Sequence, residues 1–357
     1  MLRESRAPLR SEVDLVMLDL DGVVYVGAAA VPGAAEHLAV ARAHGVRCAF
    51  VTNNASRTPD TVAAHLTELG VPAGRDDVVT SAQAAARLVR EDVGEGGRVV
   101  VLGGEGLHAA VAEAGLQGVG VGEDAAVVVT GYGPDVVWRD IMRAAVRIRA
   151  GDRWVASNTD TTIPTADGVA PGHGALVALI REFTGVEPRV AGKPARPLLD
   201  ETVRRVGGTR PLMVGDRLDT DILGGRAAGV RTLLVLTGVT DLAGLVAAPP
   251  ELRPDHLGTD LGALHRSHPA PVLTDRGAHC GVWRAEVVDG RVLVAAQPGT
   301  PPGTGRAADP VADPAADPDD WWRAVATAAW DHLDRTGTAA VVDHLEPPAP
   351  LTPPAMP

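Results

Sequence analysis

Two aspartates at i and i+2, Asp19 and Asp21, stand directly behind the apolar run Leu15-Val16-Met17-Leu18 and in front of Gly22. Carboxylates this close repel one another unless a metal cation or a shared proton lies between them. The glycine lets the backbone turn sharply at that point. A second apolar run, Pro211-Leu-Met-Val-Gly215, leads in the same way into Asp216, with Asp219 and Asp221 close behind. Asp216, at a strand end like Asp19, reads as a metal ligand, and Asp221 reads either as part of the same site or as the cap of the next helix. A calcium loop does not fit: with Gly22 at its sixth position, Met17 and Ala28 fall where Asp and Glu are required.

Two further segments offer groups for an anion. Thr52-Asn53-Asn54 ends a third apolar run with a hydroxyl and two amides, which bind phosphoryl oxygens without adding charge or, equally, cap a following helix. Lys193, in Ala191-Gly192-Lys193-Pro194, is the only lysine among 33 basic residues. A compact ammonium suits a single phosphoryl oxygen in a crowded pocket in a way that a forked guanidinium does not.

Strands must carry these residues to one edge. Short apolar runs at 14–18, 46–51, 98–102, 125–130, 153–156, 212–214 and 230–236 alternate with helical patterns at 33–44, 59–69, 81–91, 105–114, 135–149, 174–184, 197–206 and 221–228. That alternation predicts an α/β fold with a parallel sheet. In such sheets ligands collect beyond the carboxyl ends of the strands, where Asp19, Thr52 and Asp216 are placed. Asn158-Thr159-Asp160 and the Gly/Pro-rich stretch 164–174 are candidate hinge contacts or plain loops.

Composition narrows the function. With 357 residues, 45% of them apolar, the chain is long enough for two or three domains. A net charge of −12 argues against nucleic acid and anionic membranes as partners. Cys48 and Cys280 are too far apart for a zinc motif, and no apolar stretch reaches 18 residues. A cytoplasmic protein is expected. Gly103-Gly104-Glu105-Gly106 lacks dinucleotide-loop spacing, and neither a Walker A motif nor a G-x-S-x-G elbow occurs.

Taken in order, Asp19-Leu-Asp21-Gly-Val, Thr52-Asn-Asn, Ala191-Gly-Lys193-Pro and Gly215-Asp-Arg-Leu-Asp-Thr-Asp221-Ile resemble the four motifs of the haloacid dehalogenase (HAD) superfamily, in its NagD-like phosphatase branch. The resemblance implies a Rossmann-like core from 1–80 and 181–262, interrupted by an α/β cap of the C2 type at 81–180. It implies Asp19 as nucleophile, Asp21 as general acid and base, and Mg²⁺ held by the Asp19 carboxylate, the Asp21 carbonyl and Asp216. Thr52, Asn53, Asn54 and Lys193 would bind the phosphate of a small phosphorylated metabolite, with Asp221 orienting Asp216 or Lys193 from behind. A homodimer through the cap is a further implication.

Beyond 265 the texture changes. GVWRAEVV and RVLVAA flank Asp289-Gly290, a hairpin signal. The stretch 297–320 reads as a flexible loop, and Trp322, Val325, Ala326, Ala329, Trp330 and Leu333 as one face of an amphipathic helix. A small α+β domain at 265–345 and a loose tail at 346–357 follow. This arrangement resembles the branch whose HAD core carries a truncated GNAT-like (acetyltransferase-like) domain, which implies hydrolysis of glycerol 3-phosphate. Gly303-Thr304-Gly305 precedes acids and prolines instead of a helix, so acetyl transfer is not expected. Phosphoglycolate, pyridoxal phosphate and nucleoside monophosphates stand as alternative substrates. A regulatory binding protein, or an acyltransferase working through the tail, is the reading from another class.

Overall fold

The computed structural model describes residues 2–165, 168–296 and 317–348. They form two compact units, Met1–Cys48 with Thr209–Pro357, and Ala49–Gly208.

In the first unit the parallel strands His256–Gly258, Arg231–Val235, Pro211–Gly215 and Leu15–Leu18 lie side by side in that order. All four residues of Leu15–Leu18 are buried, as in parallel strands covered on both faces. Leu18 is opposite Val214, so Asp19 and Asp216 leave neighbouring strands within one residue of each other. The Asp19 N–H still donates to the Val214 carbonyl at 2.9 Å, extending the ladder to the site itself.

The tail belongs to the same unit. Strands Val272–Thr274, Gly277–Cys280, Trp283–Val288 and Arg291–Ala296 form an antiparallel sheet, and the expected hairpin turns at Asp289 (φ 50°) and Gly290 (φ 76°). The helix Pro318–Thr336 starts inside the stretch read as a loop, whose remainder, 297–316 with Gly303-Thr304-Gly305, lies outside the described residues. Residues 349–357 of the expected loose tail also lie outside them. The amphipathic reading of this helix needs correction, because every residue from Pro318 to Trp330 is buried. Ala278, Trp283 and Val292 of the tail sheet, Leu245 and Val246 of the helix Leu242–Val246 and Leu257 of the parallel sheet share one apolar core with it. Its buried charges are paired: Arg323 donates to Asp320 at 2.7 Å and Arg266 to Asp319 at 2.6 Å.

In the second unit the strands Arg189–Val190, Arg153–Ala156, Val127–Thr130, Arg98–Leu102 and Gln117–Val119 form a parallel sheet in that order. Ala144, Ala145 and Ile148 of the helix Trp138–Arg149 and Val177 and Ile180 of the helix His173–Thr184 cover it. Phe50–Thr52 pairs in parallel with Val78–Thr80. The Gly/Pro-rich stretch forms a hairpin, Thr162–Thr165 against Gly168–Pro171. Among the described residues, no helix is long and apolar enough to cross a membrane.

Candidate active site

Three carboxylates converge in the first unit. One oxygen each from Asp19, Asp216 and Asp221 lies within 4.8 Å of the others, and Asp216 and Asp221 are buried. The segment Val239-Thr240 holds Asp216: its Oδ2 accepts the Val239 N–H at 2.6 Å, and its carbonyl accepts the Thr240 hydroxyl at 2.6 Å. Its carboxylate lies in a cradle where a Cβ on Gly22 would come within 2.4 Å of Oδ2 and one on Gly238 within 2.0 Å. Gly22 also turns at φ +83°, so this glycine is required twice over. Asp221 accepts the Arg217 N–H at 3.1 Å within the π-helical turn Leu218–Ile222. It therefore shapes the loop behind Asp216, and the helix-cap reading is not realised. Asp21 is exposed at the turn, with its carboxylate outside this group.

The anion-binding candidates lie in the second unit. The Thr52 hydroxyl accepts the Asn54 N–H at 3.0 Å, and Asn54 Oδ1 accepts the Ser56 N–H at 2.8 Å. Neither caps the next helix, Pro59–Glu68, since Thr58 does so by accepting the Thr61 N–H. Asn53 makes three side-chain bonds within the protein. Its amide nitrogen donates to Asp160 Oδ1 and to the Lys193 carbonyl, both at 3.0 Å, and its Oδ1 accepts the Lys193 N–H at 2.8 Å. Both N–H donors and one lone pair of Oδ1 are thus engaged with protein. Lys193 is 2% exposed and precedes a cis proline.

Asn158 and Asp160 were legible only as hinge candidates, and His173 was not singled out. The Asn158 amide donates to the Asn53 carbonyl at 2.7 Å, and the Ser81 hydroxyl donates to the same oxygen at 2.6 Å. His173 Nδ1 donates to the Asn158 carbonyl at 2.9 Å, because a carbonyl can only accept. Burial pushes the His173 imidazole down to about 4 despite that bond, so the ring is neutral at pH 7. A cleft of 860 Å³ in this unit, lined by Arg75, Arg87, Arg90, Arg204 and Arg205, is a different kind of feature. Each of those arginines is ion-paired with a carboxylate, and Arg204 and Arg205 both hold the buried Glu201 at 2.6 Å.

Similarity to known proteins decides the family. A haloacid dehalogenase-like hydrolase model matches residues 16–117, and a HAD-hydrolase-like model matches residues 190–264. D-glycerol 3-phosphate phosphatase of Mycobacterium tuberculosis is 45% identical over 289 residues, 81% of this chain and 80% of that protein. The chain belongs to the haloacid dehalogenase-like hydrolases. Among other members of this family, the 5′-nucleotidase YutF of Bacillus subtilis is 38% identical over 63% of this chain and 87% of its own length. The crystal structure of the Mycobacterium tuberculosis glycerol phosphate phosphatase in complex with magnesium superposes with a TM-score of 0.78 at 41% identity, covering 92% of each chain. A 4-nitrophenylphosphatase from Thermotoga maritima gives 0.67 at 30% identity, covering 72% of this chain and 98% of its own.

The donor set of this HAD-like hydrolase fits a hard divalent cation. Carboxylate oxygens are the only side-chain ligands in the group, with no sulfur or imidazole among them, as Mg²⁺ prefers. The glycine cradle serves the same end by fixing the direction of one of those ligands.

Proposed function

We propose that this chain is a Mg²⁺-dependent phosphatase that hydrolyses glycerol 3-phosphate to glycerol and phosphate. One observation carries the choice of substrate. Likeness to the glycerol phosphate phosphatase runs through the tail, covering 92% of this chain, whereas the 4-nitrophenylphosphatase and the 5′-nucleotidase cover 72% and 63%.

The chemistry follows from the carboxylates. An oxygen of Asp19 attacks phosphorus in line; the Asp19 O–P bond forms as the ester O–P bond breaks, leaving an aspartyl-phosphate. Asp21, exposed at the turn behind Leu15–Leu18, gives its proton to the departing glycerol oxygen and then takes one from water. That water attacks phosphorus, the Asp19 O–P bond breaks, and phosphate leaves with Asp19 restored. Mg²⁺, held by Asp19, the Asp21 carbonyl and Asp216, would offset the negative charge of carboxylate and phosphoryl group. Asp221 supports Asp216 from behind. Thr52, Asn54 and Lys193 hold phosphoryl oxygens, and Asn53 serves the same phosphate through the Lys193 backbone that it bonds.

In this reading 1–80 and 181–262 are the phosphatase core, 81–180 is the C2-type cap, and 265–345 is a truncated GNAT-like domain that acts by packing. Two free, buried thiols, Cys48 and Cys280, suit a reducing cytoplasm. Pairing of two copies through the cap remains part of the proposal.

The test is phosphate release from glycerol 3-phosphate, phosphoglycolate, pyridoxal phosphate, 5′-nucleotides and acid sugar phosphates at equal Mg²⁺. The highest kcat/KM is expected for glycerol 3-phosphate. A tenfold preference, about 1.4 kcal/mol, for any other ester would overturn the substrate.

A further inference from the structure

Three stretches far apart in sequence meet at Asn53. Its side-chain amide spans 140 residues to clamp both the N–H and the carbonyl of Lys193, and 107 residues to reach Asp160. Its own carbonyl is held from Asn158, on the segment that follows the strand Arg153–Ala156, and from Ser81. The orientation of the amide admits no alternative. Turning it over would set Oδ1 against Asp160 Oδ1 and the Lys193 carbonyl, and Nδ2 against the Lys193 N–H, replacing three attractive contacts by three repulsive ones. The fit is also tight on the far side, where a Cβ on Gly192 would lie 2.6 Å from Asn53 Oδ1.

We propose that Asn53 is a positioning residue for Lys193, and that Asp160 and Asn158 lock its amide in the one orientation that can hold the lysine backbone at both ends. The inference rests on the phosphatase reading, in which Lys193 binds a phosphoryl oxygen. An error of about 1 Å in such a group can cost roughly 100-fold in rate, so a backbone clamp at the lysine has catalytic value. It also ties the lysine to the segment 158–160 that follows the sheet of the second unit.

The experiment uses the full chain with Mg²⁺ and glycerol 3-phosphate. Asn53→Asp sets two carboxyl groups against each other and removes the donor to Lys193. Asn53→Asp/Asp160→Asn returns an amide–carboxylate pair with its polarity reversed. The single variant is expected to lose at least about tenfold in kcat, and the double variant to recover several-fold of that loss. Wild-type kcat in the single variant, or a folded double variant no better than the single, overturns the proposal. If Asn53→Asp does not fold, Asn158→Ala takes its place, with a several-fold lower kcat expected and an unchanged kcat overturning the lock.

A second readout needs no turnover. In Asn53→Ala the amide proton of Lys193 should exchange with solvent at least about tenfold faster than in the wild type, and unchanged protection overturns the clamp. A wild-type chain that releases no phosphate would defeat the phosphatase reading instead, leaving the exchange result to judge the clamp alone.

Discussion

Asp216 accepts the Val239 N–H on Oδ2 at 2.6 Å, so a backbone group helps to aim this carboxylate. The loop that supplies the N–H also supplies Gly238, whose missing Cβ leaves the room in which Asp216 Oδ2 sits. A side chain there would displace the carboxylate.

Gly238→Ala should therefore weaken metal binding ahead of everything else. The Mg²⁺ concentration for half-maximal phosphate release is expected to rise at least about tenfold, in the range seen when groups behind a metal ligand are altered. A Mg²⁺ titration checks this, and a midpoint equal to that of the wild type would show that the cradle does not set the ligand.

The tail is held as an integral part of its unit. Trp330 is fully buried, its indole N–H donates to the Leu245 carbonyl at 2.8 Å, and the Arg253 guanidinium lies 5.2 Å from its ring centre. Trp330→Phe removes that indole bond, leaving the carbonyl to the Ala248 N–H at 3.2 Å, and opens space around a fully buried ring; it should cost about 1–3 kcal/mol in urea unfolding. Full-strength stability in the variant would mean that the tail helix is only loosely attached.

Acid should destabilise the first unit through two histidines that pack edge-on at 5.1 Å. Burial pushes His256 down to about 4, with Asp255 and Glu12 opposing the shift and Arg231 and Arg323 adding to it. Burial and the nearby Arg323 push His268 down to about 3. Both folded values lie below the ordinary 6.5. The unfolded chain therefore takes up protons that the folded chain refuses, and stability falls as pH drops from about 6.5 toward 4. Both His256 ring nitrogens are buried without a hydrogen-bond partner among the described residues. His256→Leu should accordingly show a shallower loss of melting temperature between pH 7 and 5, and parallel slopes for variant and wild type would contradict this origin.

Much of this was open to a reading of the letters alone, for definable reasons. Strands 98–102 and 153–156 are found at those boundaries because each is a short apolar run behind an arginine, closed by Gly103-Gly104 in one and by Ser157-Asn158 in the other. Val78–Thr80, Gln117–Val119 and Arg189–Val190 escaped notice because two or three residues cannot display a period. The tail helix was misjudged for a different reason. Asp319, Asp320 and Arg323 look like a solvent face, yet each is buried against a partner brought by another element or by the helix itself. At the site, the approach of Asp19 to Asp216 was legible from their strand ends, whereas Asp221 sits in the π-helical turn Leu218–Ile222. The commitment of Asn53 was not, because its partners stand 107 and 140 residues away and only folding brings them to it.

Phosphate release from glycerol 3-phosphate by the wild type and by Asp19→Asn, in the same Mg²⁺ buffer and with melting curves recorded alongside, tests the central claim most directly. A lost nucleophile should lower kcat by roughly 1000-fold or more with the fold intact. Equal rates in the two proteins would contradict attack by Asp19 and the mechanism built on it.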